Sequence, residues 1–436
     1  MYFNVDELQS CRKGANMEVY EQKNKQKAGG KEHFIAGLMV GIASTLLVVC
    51  VAYLGFQIQR GVEDARQDSH LVNADSSTKD GTLSEAVADK IDTLEYMIDR
   101  YYYKDDISRE DLEEGIYQGL MDAVGDPYTS YFNERDFETF MEQTTGAYYG
   151  IGAYVALDVE RNYPKINSPI PGSPAEEVGL RPNDIIYEVD GTSTYGMELD
   201  KVVSLIKGEE GTTVNITIYR DGEYIDMTVQ RRQVEIPTVE QEMLEDGMAY
   251  IRIVEFDDVT PGQFEDALQT SRSQGMKGLV LDLRGNPGGS VNAVVDIARM
   301  LLPEGLVVYT EDKYGKREEY SCDGSNEFNL PLVVLVDGNS ASASELLSGA
   351  IQDYQKGTLV GTTTFGKGIV QQMLTLLDGS AVKITISSYY TPKGRNIHGI
   401  GIEPDVVCPF DGEAYYNNGY DNQLEKGKEV LREMME

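Results

Sequence analysis

Apolar residues recur at helical spacing in two early stretches, first Val87, Ile91, Leu94, Ile98 and Tyr101, then Leu112, Ile116, Leu120 and Val124. Steps of three and four residues place such positions on one helix face. The pattern therefore predicts a small helical segment over 83–147, with "GDPYTSYF" (Gly125–Phe132) as an aromatic turn whose Asp-Pro pair stops the helix. From Tyr149 the period shortens. Alternating runs such as "TVNITIYR" and "IDMTVQRR", with one helical piece "ELDKVVSLIKG", predict a compact β-rich module over 148–232. Beyond it "KGLVLDLRGNPGG" runs from a strand through a glycine turn into "SVNAVVDIARMLL", and "LPLVVLVD" runs into "SASASELLSGAIQDY". This repeated strand–turn–helix plan predicts an α/β layer over 233–410. The tail, 411–436, ends in "NQLEKGKEVLREMME", which reads as a solvated helix.

One run is apolar throughout. Phe34–Phe56 carries no charge over 23 residues, a helix of roughly 34 Å, so it is expected to span a membrane. Lys23, Lys25, Lys27 and Lys31 precede it, whereas the next basic residues after it are Arg60 and Arg66. By the positive-inside bias, 1–33 is expected to be cytoplasmic, 57–82 a polar tether and the rest extracytoplasmic, in a single-pass cell-membrane protein.

Composition removes several function classes. The chain has 436 residues, and its 38 Lys+Arg against 73 Asp+Glu leave a net charge of −35, which argues against nucleic acid or anionic lipid as an electrostatic partner. The four cysteines, Cys11, Cys50, Cys322 and Cys408, form no C-x-x-C pair, and the three histidines are scattered. No metal or other cofactor is expected, and Cys322 and Cys408 are taken as free thiols.

Three turns compete for the chemistry. "TLVGTTTFGKGIVQ" nearly spells a phosphate-binding loop, with Gly361, Gly366 and Lys367 in register, but Gly368 stands where Ser or Thr must hold magnesium. The adjoining run "IVQQMLTLLDGSAVKITISSYY" reads as a hairpin about Asp378-Gly379, so the loop lacks the helix N-terminus that a phosphate needs. "RGNPGG" (Arg284–Gly289) offers either a tight turn or free amides for a developing negative charge. In "GNSASASELLSGA", Ser342 and Glu345 fit a capping box, while a serine at a helix start is also placed as a nucleophile. Its base would be Lys367, if burial among Gly and apolar neighbours disfavours the ammonium, or else His398.

Two sets of motifs then converge. "SPIPGSPAEEVGLRPNDIIYEVDG" (Ser168–Gly191), preceded by "YYGIGAYV", resembles the PDZ domain of bacterial proteases. Together with "GDPYTSYF", "LDLRGNPGG", "GNSASASELLSGAIQD", "TFGKGIVQ" and "GRNIHGIGIEPDV", the chain from about Leu83 to Val407 resembles the carboxyl-terminal processing (tail-specific) proteases. The resemblance implies a multidomain α/β protein: transmembrane helix, helical segment, PDZ domain and mixed α/β serine-protease core. It implies Ser342 as nucleophile, Lys367 as general base and Gln371 orienting the lysine. It implies an oxyanion hole from the amide of Ala343 and that of Gly288 or Gly289, a PDZ carboxylate loop at Tyr149, Gly150, Ile151 and Gly152, and a structural role for His398. Its substrates would be proteins or peptides with free C-terminal tails. Some members carry arginine where this chain has Lys207, which lacks the planar fork. A homo-oligomer is left open, and the rivals are a non-catalytic PDZ scaffold and a nucleotide hydrolase using Gly361–Lys367.

Overall fold

The computed structural model describes residues 84–104 and 107–436, which belong to two separate compact units. The apolar run at 34–56 lies outside the described residues. Among those described, no helix is long and apolar enough to cross a membrane. In the first unit, Glu85–Tyr101 is one helix whose apolar stripe is present yet unburied: Val87, Leu94 and Tyr101 are all exposed.

The second unit opens with the helix Arg109–Asp122, started by a complete capping box between Ser108 and Asp111. Its Ile116 and Leu120 are exposed too, so periodicity located both helices but did not make them a core. The strand Ser130–Phe132 and the helix Glu134–Thr145 come next, and Gly146 in the left-handed region closes that helix.

The PDZ module is built on an antiparallel sheet ordered Ala153–Asp158, Tyr163–Pro169, Ile185–Val189, Thr213–Arg220 and Glu223–Gln230. Ala153–Asp158 is therefore an edge strand. The helix Leu199–Ile206 buries Val202 and Ile206 against the sheet, in a core with Ile166, Ile186 and Ile218. Ala147–Gly150 and Arg232–Glu235 pair with each other where the chain enters and leaves the module.

The α/β core is a six-stranded sheet ordered Val239–Met243, Met248–Ile253, Gly278–Asp282, Leu332–Val336, Thr358–Gly361 and Val406–Val407, parallel after the first pair. All five residues of "LVVLV" (Leu332–Val336) are buried because both faces are covered. Leu332, Val334 and Val336 face the helices Thr260–Ser273, Val291–Arg299 and Ala343–Tyr354. Val333 and Leu335 face the C-terminal helix Asn422–Met435. That helix is not solvated as its charge suggested, since Gly427, Val430 and Leu431 press onto the sheet and Lys428 is itself buried, paired with Glu245 and Glu425. A second, antiparallel sheet carries the hairpin Ile369–Thr375/Ala381–Tyr390, as the Asp378-Gly379 turn predicted.

Candidate active site

Ser342, "RGNPGG" and the loop 362–368 all leave the carboxyl ends of neighbouring parallel strands, the edge where open α/β sheets bind ligands. The three alternating serines differ in their hydrogen bonds. Ser340 Oγ donates to the Leu283 carbonyl (2.8 Å) and Ser344 Oγ to that of Asn286 (3.0 Å), both fully buried. Ser342 Oγ, half-buried, has no partner among the described residues. Ser342 and Glu345 take up the expected capping-box arrangement, but only one of its two contacts is a well-formed hydrogen bond. Glu345 Oε2 accepts the Ser342 amide (2.9 Å), but the Glu345 amide goes to the Ser342 carbonyl (2.9 Å), leaving the hydroxyl free. Ser342 itself holds φ 53°, ψ −112°, a conformation L-residues seldom adopt. It is pinned from both sides, because the amide of Ala341 donates to the Asn286 carbonyl (3.0 Å) and Tyr389 Oη reaches its own carbonyl (3.1 Å).

The glycine turn lies against this strained residue. A Cβ on Gly288 would come within 2.8 Å of Ser342 Cβ, and one on Gly289 within 2.3 Å of the Phe256 carbonyl, so neither position admits a side chain. The Gly288 amide is already given to Asn286 Oδ1 (2.8 Å). The amides of Gly289 and Ala343 have no acceptor among the described residues. Of the two glycines left open by the sequence, Gly289 is the one free to meet an oxyanion. Arg284 anchors the turn through Asp282 (2.6 Å) and Asp421 at the start of the C-terminal helix (2.9 Å). That helix thereby supports the site.

Ser342, Lys367, Gln371 and Gly289 line one cleft of about 680 Å³. Burial pushes the Lys367 ammonium below its ordinary pKa, helped by the nearby charge of Lys383 and opposed by Asp126 and Glu345. Its Nζ lies 4.5 Å from the centre of the Tyr128 ring and makes no hydrogen bond to Ser342. Gln371 does not touch the lysine either. Its amide donates to Thr385 Oγ1 (3.2 Å), which in turn donates to Asp126 Oδ2 (2.6 Å). The expected contact from Gln371 to Lys367 is therefore replaced by a chain tying the catalytic hairpin to the "GDPYTSYF" turn. His398 is exposed, accepts the Gly368 amide (3.4 Å) and stands outside the cleft.

Sequence reasoning missed several members of the site. Glu345 is fully buried, and its two oxygens accept from Thr364 Oγ1 (2.6 Å) and the amides of Gly366 (2.7 Å), Lys367 (2.8 Å) and Ser342 (2.9 Å). Four donors stabilise a carboxylate that burial alone would not tolerate. Tyr389, read as one more strand residue, places its hydroxyl between the carbonyls of Ser342 and Lys367. Asp126 and Tyr128 lay in the quoted motif "GDPYTSYF" but were read only as a turn and its aromatic packing, and Thr385 had no signal beyond its polarity.

The PDZ groove, about 290 Å³, lies between the edge strand and the helix Leu199–Ile206. Gly152, at φ 76°, packs on Ser173, and its carbonyl accepts the Ser173 hydroxyl (2.8 Å). The amides of Ile151 and Gly152 have no acceptor among the described residues, whereas Tyr149 points away, half exposed. Lys207 pairs with Glu142 at the groove and lies over the Tyr148 ring.

A serine at a strained helix start sharing a cleft with a lysine, together with a separate peptide-sized groove in the β-rich module, is the arrangement of a peptidase with a peptide-recognition module. Comparison with known proteins agrees. Residues 247–408 match the model of peptidase family S41, 165–220 that of a PDZ domain and 46–136 that of the activating protease CtpB N-terminal domain. A carboxyl-terminal-processing protease of Synechocystis sp. is 35% identical over 332 residues, 74% of this chain and 78% of that protein. The carboxy-terminal processing protease CtpA of Bacillus subtilis is 34% identical over 77% of this chain and 72% of its own. The solved photosystem II D1 C-terminal processing protease is 32% identical, covering 78% of this chain and 90% of that one at a TM-score of 0.44. The chain belongs to the carboxyl-terminal processing proteases of peptidase family S41, which are serine-type enzymes.

Proposed function

We propose that the chain is a Ser–Lys endopeptidase that cleaves extracytoplasmic proteins selected by their C-terminal tails. The observation that carries this reading is the pairing, in one cleft, of the only hydroxyl of "SASAS" without a hydrogen bond and a lysine whose ammonium has no carboxylate partner among the described residues. Neutral Lys367 takes the Ser342 proton as Oγ attacks the scissile carbonyl. The oxyanion forms between the amides of Ala343 and Gly289. Collapse returns the proton from Lys367 to the leaving amine, and water then hydrolyses the acyl-enzyme with Lys367 again as base. For this the lysine leaves the Tyr128 ring, and Gln371 exchanges Thr385 for Nζ.

In the PDZ module, a tail carboxylate takes the free amides of Ile151 and Gly152 while the peptide pairs with the edge strand Ala153–Asp158. Binding and catalysis share one element. The helix Glu134–Thr145 lines the groove through Thr139 and Glu142 and the catalytic cleft through Phe140 and Thr144, with Gln143 on both. A tail that displaces this helix biases the catalytic cleft as well. Placement outside the cytoplasm behind a membrane anchor at 34–56 rests on the charge asymmetry about that run, and protease shaving of intact cells tests it. The function itself is tested by capturing substrates on Ser342→Ala. Uncleaved proteins sharing C-terminal features should co-purify, and cleavage by that folded variant would remove Ser342 as nucleophile.

A further inference from the structure

Lys383 is a second lysine in the catalytic cleft, and the mechanism does not use it. It is half-buried, with Nζ 5.3 Å from the Phe132 ring centre and 5.2 Å from that of Phe140. The two rings come from different elements, a strand and a helix, and meet at 5.2 Å. A lysine packed only for its methylene stem carries its ammonium out to water. Here the rings hold the ammonium itself.

A chain with 73 acidic residues places no carboxylate within ion-pair distance of Lys383 among the described residues. Burial accordingly pulls its pKa below the usual lysine value. A partly desolvated, unpaired cation is costly unless a ligand supplies the missing anion. The strand Ala381–Tyr390 shows where that ligand runs. Residues at every second position share a face, so Lys383 lies beside Thr385, which holds Gln371, and beyond a bulge between Thr385 and Ser387 the same strand delivers Tyr389 to the Ser342 carbonyl. At about 3.3 Å per residue, with a side-chain reach of about 6 Å, the ammonium meets an extended peptide roughly three to six residues from the scissile carbonyl.

We infer that Lys383 is a specificity-determining residue that binds a carboxylate of the substrate peptide, a few residues from the bond cleaved. The carboxylate is either an Asp or Glu side chain or the terminal α-carboxylate. This rests on the Ser342–Lys367 reading above.

The test compares cleavage by the full chain of three peptide series sharing one cleavage sequence. The first scans Glu through positions up to six residues from the bond with an amidated end, the second ends in a free carboxylate at those distances, and the third carries Gln and an amide. Wild type should favour one acidic position over its neutral counterpart by about tenfold in kcat/KM, mostly through KM. Which series shows the preference identifies the carboxylate. Lys383→Met, which keeps the packing on Phe132 and Phe140, should bring that ratio close to one. Lys383→Arg should retain it and Lys383→Glu invert it. Equal ratios in wild type and Lys383→Met overturn the inference, as does a shift of the kcat–pH profile shared by all peptides with the ratio unchanged, which would make Lys383 only a modulator of Lys367. Cleavage surviving in Ser342→Ala would instead overturn the underlying mechanism.

Discussion

Ser342 and Lys367 donate their backbone amides to the same oxygen, Glu345 Oε2, at 2.9 and 2.8 Å. The carboxylate thus fixes the separation of the Ser342 and Lys367 backbones although neither side chain touches it. Glu345→Gln turns an acceptor into a donor facing other donors. It should fold and lose roughly a hundredfold in kcat with little change in KM, since a displacement of about 1 Å is enough for that. Glu345→Ala leaves four buried donors unmatched and should cost about 3–5 kcal/mol by denaturant titration. An active Glu345→Gln enzyme would mean that the carboxylate serves stability alone.

The direction of the Lys367 shift sets a pH dependence. In the proposed mechanism the neutral amine is the base, so kcat/KM should rise with pH through a folded pKa below the ordinary 10.5. Between the folded and unfolded values the unfolded chain binds the extra proton, so stability also rises with pH across that window. Lys367→Met should remove this part of the stability profile together with activity. Lys367→Arg, charged at every accessible pH, should be inactive throughout, and a rate near wild type at neutral pH would rule the lysine out as base.

Asp257, buried at the cleft, has its carboxyl pushed up to about 7 by burial, with Glu255 and Asp258 adding repulsion. A raised carboxyl is most comfortable protonated. The folded state holds a proton that the unfolded chain has released, so stability falls as pH rises from about 4 to about 7 and is level above. Asp257→Asn should therefore be more stable than wild type by about 1–2 kcal/mol above pH 7, with the gap closing towards pH 4. A pH-independent gap would show that Asp257 is ionised throughout.

Local chemistry was the legible part of this chain. The strand–turn–helix repeats, including the passage from Leu332–Val336 to Ala343–Tyr354, and the hairpin about Asp378-Gly379 arise from spacing within a few residues, and each formed as read. What stayed hidden depends on distant side chains. Gly288 and Gly289 look alike until Asn286 consumes one amide. Gln371 is held by Thr385 because Asp126, over 250 residues earlier in the chain, orients that hydroxyl. The C-terminal helix looked solvated because its burying face is narrow, with Gly427 between lysines. Lys383 has no sequence signature, since its cage is built from Phe132 and Phe140 in another segment.

Tail recognition through the PDZ loop requires a free carboxylate at Ile151 and Gly152. Amidating the C-terminus of a peptide that binds the groove should weaken binding to the full chain by about tenfold. Lys207→Met should weaken the acid more than the amide if the carboxylate draws Lys207 from Glu142. Identical affinities for acid and amide would assign the groove another ligand.

The account turns on a covalent bond between substrate and Ser342, and trapping that bond tests it most directly. The full chain, mixed with a slow peptide ester and quenched in acid, should gain the mass of one acyl group, and digestion should locate it on Ser342. The adduct should be absent in Ser342→Ala and nearly so in Lys367→Ala, and the double variant should be no worse than either alone because both residues serve one step. An acyl group on another residue, or undiminished peptide cleavage by folded Ser342→Ala, would contradict the account.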